Sequence, residues 1–158
     1  MRSVLTTALL GALLAAAPVA ARAQQVPNLS GTWVLQIDKS DFGPIPAPTS
    51  RTDVVDHQEP KLNIKRTTVQ NGTEVVGNLV FVIDGKEYKN SMGPQELTST
   101  LKWDGAVLVV TTNTSMQGAD VALLDRYSLS ADGKTLTQDR SISVQGQSLT
   151  QKLVFAKQ

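Results

Sequence analysis

Turn signals recur along this chain with a regularity that leaves little choice of fold. Pro60, Asn71-Gly72, Asp84-Gly85, Gly93-Pro94, Asp104-Gly105, Gly118, Asp132-Gly133 and Gly146 follow one another at intervals of roughly a dozen residues. Asn-Gly and Asp-Gly are strong hairpin signals, because a type I′ turn places both central residues at positive φ. The runs between them are rich in Val, Thr, Leu and Ile, side chains that fit a pleated surface. No run after the first two dozen residues sustains the three-and-four apolar spacing of a helix, so none is expected. Strands joined in order by short turns form an all-β, up-and-down antiparallel meander of about ten strands. Rolling that meander into a single β-barrel removes the edges that an open sheet of this size would expose.

Alternation separates the inside of such a barrel from its outside. Trp33, Leu35 and Ile37 share a face, as do Leu62 and Ile64, and Leu79, Phe81 and Ile83. The series continues through Leu97, Leu101 and Trp103; Val121, Leu123, Tyr127 and Leu129; Leu136, Ile142 and Val144; and Leu149, Leu153 and Phe155. Successive side chains of a strand point to opposite faces, so each set lines one side. The alternate positions are mostly Thr, Ser, Lys, Glu and Asn. A membrane barrel needs an apolar outer band and aromatic girdles, and 2 Trp, 2 Tyr and 3 Phe are too few for these. Water is the expected outer solvent.

The ends of the chain indicate where it acts. Residues 1–23 carry a positive start at Arg2, an apolar stretch from Val4 to Ala17, and the small-x-small site Ala21-Arg22-Ala23, the three parts of a secretory signal peptide. The apolar stretch is short for a membrane span, which takes about 20 residues. A mature domain over 24–158 is expected, exported to the periplasm or secreted. Removing Arg2 and Arg22 turns the whole-chain balance of +1 into a net charge of −1. Such a chain has no electrostatic footprint for nucleic acid or anionic lipid. With 0 Cys there is no disulfide scaffold, which suits a bacterial export route better than a eukaryotic one. The three Asn-x-Ser/Thr triplets at Asn28, Asn71 and Asn113 are expected by chance in a Thr/Ser-rich chain.

One connection is long. Residues 38–50 carry prolines at alternate positions, Pro44, Pro46 and Pro48, which favours polyproline-like extension and forbids a helix. The segment is either a strap over one end of the barrel or a spacer. Phe42 and Ile45, apolar residues with no strand to belong to, favour the strap.

With these features in place the chain resembles the calycin group, the lipocalins and fatty-acid-binding proteins, and in particular small lipocalin-like domains of bacterial export. Gly31-Thr32-Trp33 matches the lipocalin G-x-W of the first strand, while the number and length of strands are more similar to the fatty-acid-binding proteins. The resemblance implies that Trp33 closes the barrel floor beneath an arginine from a late strand, the part open to Arg140. It also implies an internal cavity for a small apolar or amphiphilic molecule. The family's Thr-Asp-Tyr motif is absent, with Leu124-Asp125-Arg126-Tyr127 only a loose echo.

Polar residues that fall on the apolar faces are the candidates for function. Arg66 continues the Leu62/Ile64 face, Asn90 shares one with Tyr88 and Met92, Asp125 lies between Leu123 and Tyr127, and Gln151 interrupts Leu149 and Leu153. Arg140, with Gln138 beside it, lies between Leu136 and Ile142. A buried guanidinium is costly unless paired. Arg140 or Arg66 can pair with Asp125, or cap Trp33 as a cation–π contact. Alternatively, one arginine awaits the carboxylate or phosphate of a ligand, which its planar fork suits. The ligand-binding set expected is Arg66, Tyr88, Asn90, Tyr127 and Arg140, around an amphiphilic anion. The alternative is a filled barrel whose strap or loops meet a cell-envelope protein.

An enzyme is the least favoured class. The single histidine, His57, excludes a multi-histidine metal site, and without Cys the common zinc sets are out as well. Nothing calls for a cofactor, and no nucleophile elbow, phosphate loop or dinucleotide fingerprint is present. His57, just before Gln58-Glu59-Pro60, reads as a solvated strand end, and Asp53 and Asp56 read as a charged one.

Overall fold

A computed structural model describes residues 26–158, so the expected signal segment 1–23 lies outside the described residues. Ten strands follow in order: β1 (Gly31–Leu35), β2 (Ser50–Gln58), β3 (Lys61–Gln70), β4 (Thr73–Val82), β5 (Glu87–Met92), β6 (Gln95–Asp104), β7 (Val107–Met116), β8 (Ala119–Leu129), β9 (Thr135–Val144) and β10 (Gln147–Lys157). All pairings are antiparallel, in the spatial order β4-β3-β2-β1-β10-β9-β8-β7-β6-β5. The first strand meets the last, with Trp33 opposite Lys157 and Leu35 opposite Phe155. Only the β4–β5 seam lacks a ladder. There the Asn90 side chain acts as a surrogate peptide: its Oδ1 accepts from the Val80 N–H at 2.8 Å and its Nδ2 donates to the Val80 carbonyl at 3.1 Å. A Cβ on Gly77 would collide with Met92, so the glycine is what lets that methionine lie across the seam. The barrel is thus nearly closed.

The hairpin signals act as expected at Asn71-Gly72, where φ is 51° and 76°. Equivalent turns form at Gln117-Gly118 and Gln145-Gly146, with Gln taking the position where Asn is usual. Strand β1 is shorter than its apolar pattern suggests. It ends at Leu35, and Ile37–Lys39 form a single 3-10 turn from which Ile37 still packs on the core.

The turns alternate between two barrel ends. The floor end holds the β2–β3, β4–β5, β6–β7 and β8–β9 connections, and Trp33 plugs it. The indole is fully buried and its Nε1–H donates to the Leu29 carbonyl at 2.8 Å. Around it pack Phe155, Leu62, Leu101 and Leu108, each 1–2% exposed. The cation over the indole is Lys157, whose Nζ lies 5.3 Å from the ring centroid, and not Arg140. Gly31 makes this possible, because a Cβ there would sit 2.5 Å from Lys157 Cε. The G-x-W pattern therefore has a steric reason in this chain: the glycine clears the path for the lysine that covers the tryptophan.

His57 corrects the reading of a solvated strand end. It is 4% exposed, its Nδ1 accepts the Leu29 N–H at 3.2 Å, and its Nε2 faces Glu59 at 2.8 Å. An accepting Nδ1 leaves Nε2 as the donor in the neutral ring. The histidine thus ties the segment before β1 onto the barrel floor.

At the other end residues 38–50 form a strap. Asp41 and Lys152 exchange both backbone hydrogen bonds, at 2.7 and 2.8 Å, and Gln151 Nε2 donates to the Phe42 carbonyl at 3.0 Å. The Thr49 N–H reaches the Val69 carbonyl at 2.8 Å, which fastens the far end of the strap to β3. Among the described residues no helix is long and apolar enough to cross a membrane. Outward positions such as Lys61, Asn63 and Lys65 of β3 are exposed and polar.

Candidate ligand-binding site

A cavity of about 580 Å³ runs through the barrel. Its floor is lined by Leu29, Leu62, Phe81, Leu101 and Leu108, and its upper part by Val75, Met92, Leu97 and Leu123. Phe42, Ile45, Pro46 and Pro48 of the strap also line it, which accounts for the two apolar residues that had no strand. The volume falls within the ~300–1,000 Å³ typical of small-molecule sites, as does the pattern of apolar walls with a few placed polar groups.

The polar groups form a belt at the waist. On β2, Arg51 and Asp53 point inward on the same face as Val55 and His57. Arg51 forks onto Asp53 at 3.1 and 2.7 Å, and Arg66 of β3 forks onto the same carboxylate at 2.9 and 2.8 Å. Across the barrel Arg140 of β9 forks onto Asp125 of β8 at 2.7 and 2.9 Å. Gln138, fully buried, joins the halves. Its Nε2 donates to Asp125 at 2.9 Å and its Oε1 accepts from Arg51 at 3.3 Å. Arg51 also lies 4.8 Å from the centroid of the Phe155 ring. The wall formed by β6 and β7 adds the hydroxyl pair Ser99 and Thr112 at 2.8 Å.

Electrostatics favour the charged forms of Asp53, Arg66, Asp125 and Arg140. Burial alone would push the Asp53 carboxyl up, but Arg51 and Arg66 outweigh it and hold the group far below the ordinary carboxylate range. Burial likewise opposes ionisation of Asp125, and Arg140 together with Gln138 brings its pKa down. Desolvation works against charge on Arg66 and Arg140, while Asp53 and Asp125 respectively, with the Tyr127 phenol near both, hold them protonated. Three guanidinium groups face two carboxylates, so the belt carries one net positive charge. Arg66 and Arg140 donate to the carboxylates through Nε and Nη2 and not through Nη1, and the Tyr127 phenol stands beside Arg66. No fully enclosed side-chain N or O lacks a partner among the described residues, and both side chains line the cavity.

The structure brings three of the five expected residues together: Arg66, Tyr127 and Arg140 all line the cavity. Tyr88 and Asn90 stand apart from its wall. The Tyr88 hydroxyl donates to Asp84 at 3.2 Å, and Asn90 bridges the seam. Arg140 does pair with Asp125, but Arg66 pairs with Asp53, which is 6% exposed and no charged strand end. Arg51 is absent from the expected set and Asp53 is read there as a strand end because Val54-Val55 leaves the facing of β2 ambiguous; the placement of Arg51, Asp53 and His57 at alternate positions is the available signal. Among the described residues no group of three His, Asp or Glu side chains is placed to hold a metal ion.

No family model and no curated protein matches the sequence. Solved structures do match its shape. A secretory abundant heat soluble protein from Ramazzottius varieornatus superposes with a TM-score of 0.62 at 12% identity, covering 82% of this chain and 94% of its own. Secretory abundant heat soluble protein 4 of the same organism gives 0.59 at 17%, covering 86% and 99%. Human cRBP IV gives 0.54 at 17%, covering 84% and 99%. At such identities the likeness is one of fold, a ten-stranded up-and-down barrel built around an interior space, as the calycin resemblance of the sequence implies.

Proposed function

We propose that this protein is an exported carrier that holds an amphiphilic anion inside its barrel, without catalysis. The observation that carries the reading is the net positive belt at the waist of an otherwise apolar cavity. An uncompensated charge held away from water is costly, and an anion on the Nη1 sides of Arg66 and Arg140, which the carboxylates leave unused, offsets that cost. The Tyr127 hydroxyl stands beside both and supplies a further donor. The apolar walls take the remainder of the molecule, which loses water without losing hydrogen bonds. The calycin fold of the structural neighbours fits this use of the interior.

Native mass spectrometry of protein purified from its own host tests the proposal. The expected spectrum shows one retained small molecule that carries an acidic group. Protein that is empty and that also refuses added dodecanoate would contradict the reading, and would favour a barrel that works through its surface on an envelope protein. Export is tested on the same sample: Edman sequencing is expected to begin at Gln24, and an intact Met1 contradicts it.

A further inference from the structure

The belt crosses the cavity at its middle, with apolar wall below it and, above it, Val75, Met92, Leu97 and Leu123 interspersed with Thr68, Gln70 and Thr114. On β3 the lining residue Leu62 lies four residues toward the floor from Arg66, and Gln70 lies four toward the mouth. Each interval is about 13 Å along the strand, or about 10 Å along the barrel axis at the usual strand tilt. The other walls repeat the arrangement. On β6, Leu101 lies on the floor side of Ser99 and Leu97 on the mouth side, and all three line the cavity. On β8, Leu123 lies above Asp125. A headgroup seated against Arg66 and Arg140 therefore has apolar space both below and above it. A straight amphiphile with its charge at one end fills only one of these halves.

Charge narrows the ligand further. With three guanidinium groups against two carboxylates, one negative charge makes the waist neutral, whereas a second leaves a buried excess.

We propose that the ligand is a singly charged anion carried between two apolar arms, as in an α-branched carboxylic acid, rather than an amphiphile with a terminal headgroup. This inference rests on the anion-carrier reading and specifies the shape and charge of what is carried. One arm lies toward Leu62 and Leu101, the other toward Leu97 and Leu123, and the acid group between them meets the arginines.

Two isomers isolate the shape requirement. Hexadecanoic acid and 2-hexyldecanoic acid have the same atoms and the same charge and differ in where the carboxyl sits. In competition titrations against the full mature chain, 2-hexyldecanoate is expected to bind at least tenfold more tightly, and hexadecyl phosphate, which can carry two charges, more weakly than either. Equal affinities, or a preference for hexadecanoate, overturn the two-armed ligand and leave anion carriage standing. Failure of all three to bind overturns both. Leu101→Phe, which narrows the lower half, is expected to erase the preference for the branched isomer while hexadecanoate still binds; a preference that survives contradicts the proposal. Should that variant lose its β-sheet circular dichroism, Leu62→Phe makes the same test.

Discussion

The floor and the waist of this barrel are both filled by buried side chains, but different physics holds them. At the floor, Trp33, Phe155, Leu62, Leu101 and Leu108 exclude water from a contact that is almost wholly apolar, and the one indole N–H is satisfied by the Leu29 carbonyl. At the waist, Arg51, Asp53, Asp125 and Gln138 are also buried, and Arg66 and Arg140 are partly so, with side chains 14% and 17% exposed, yet each is charged or amide-bearing. Burying apolar surface is favourable without directional demands. A buried ion pair roughly recovers its own desolvation cost, and apolar residues of the same volume would often hold a core as well or better. The floor is thus where stability resides. The waist is where the barrel tolerates a cost, and it is the part that a ligand can complete.

That contrast can be broken at either level. Trp33→Ala is expected to have the largest effect on stability, about 3–5 kcal/mol from the lost contacts and the cavity left behind. Urea denaturation measures it, and an effect near zero would mean that the indole is no plug. Arg140→Met is expected to cost somewhat less, about 3 kcal/mol, because it leaves Asp125 buried with only Gln138 for a partner. Anion affinity should fall at least tenfold in the same variant, a loss that Trp33→Ala should not share in the folded fraction. Titration of both variants with one ligand separates a support role from a binding role. Asn90→Ala should cost only about 1 kcal/mol, the size of its paired hydrogen bonds to Val80. Its signature is local: faster amide exchange in β4 and β5, with β9 and β10 unchanged.

A further expected effect is a dependence of stability on pH. The Asp53 and Asp125 pKa values are depressed by their arginines against the opposing pull of burial. A carboxylate depressed in the folded state adds stability in full above its unfolded value, near 4, and loses it as the pH falls through the folded value. Thermal midpoints should therefore hold steady from pH 7 to about pH 5 and then decline. Replacing both aspartates by Asn should flatten that decline, at the cost of a lower midpoint throughout. A wild-type midpoint that holds steady down to pH 2 would contradict the paired belt.

Much of this arrangement is legible in the sequence, because turns and alternation are local. Asn71-Gly72 and its counterparts mark the hairpins, and Leu79, Phe81 and Ile83 display the inward face of β4 without help from the rest of the chain. Arg66, Tyr127 and Arg140 are legible as polar residues in apolar positions. Their partners are not, because pairing across a barrel depends on register between distant strands. Asp53 stands opposite Arg66 only through the β2–β3 ladder, and Gln138 meets Arg51 only because the β1–β10 pairing brings β9 within reach of β2. Strand β2 also has apolar residues on both faces at Val54 and Val55, so alternation alone could not say which way Asp53 turns. Lys157 over Trp33 was hidden for a similar reason. The lysine is the penultimate residue and reaches the indole only once the last strand has paired with the first.

The central claim is that a charged waist inside a nearly closed barrel selects for an anion. A competition titration of dodecanoate against 1-dodecanol tests it most directly, since the two chains match in length and differ only at the head. The expected result is at least a tenfold preference for the acid in the wild-type protein, lost in Arg66→Met. Equal binding of acid and alcohol, or a preference that persists in Arg66→Met, would contradict it.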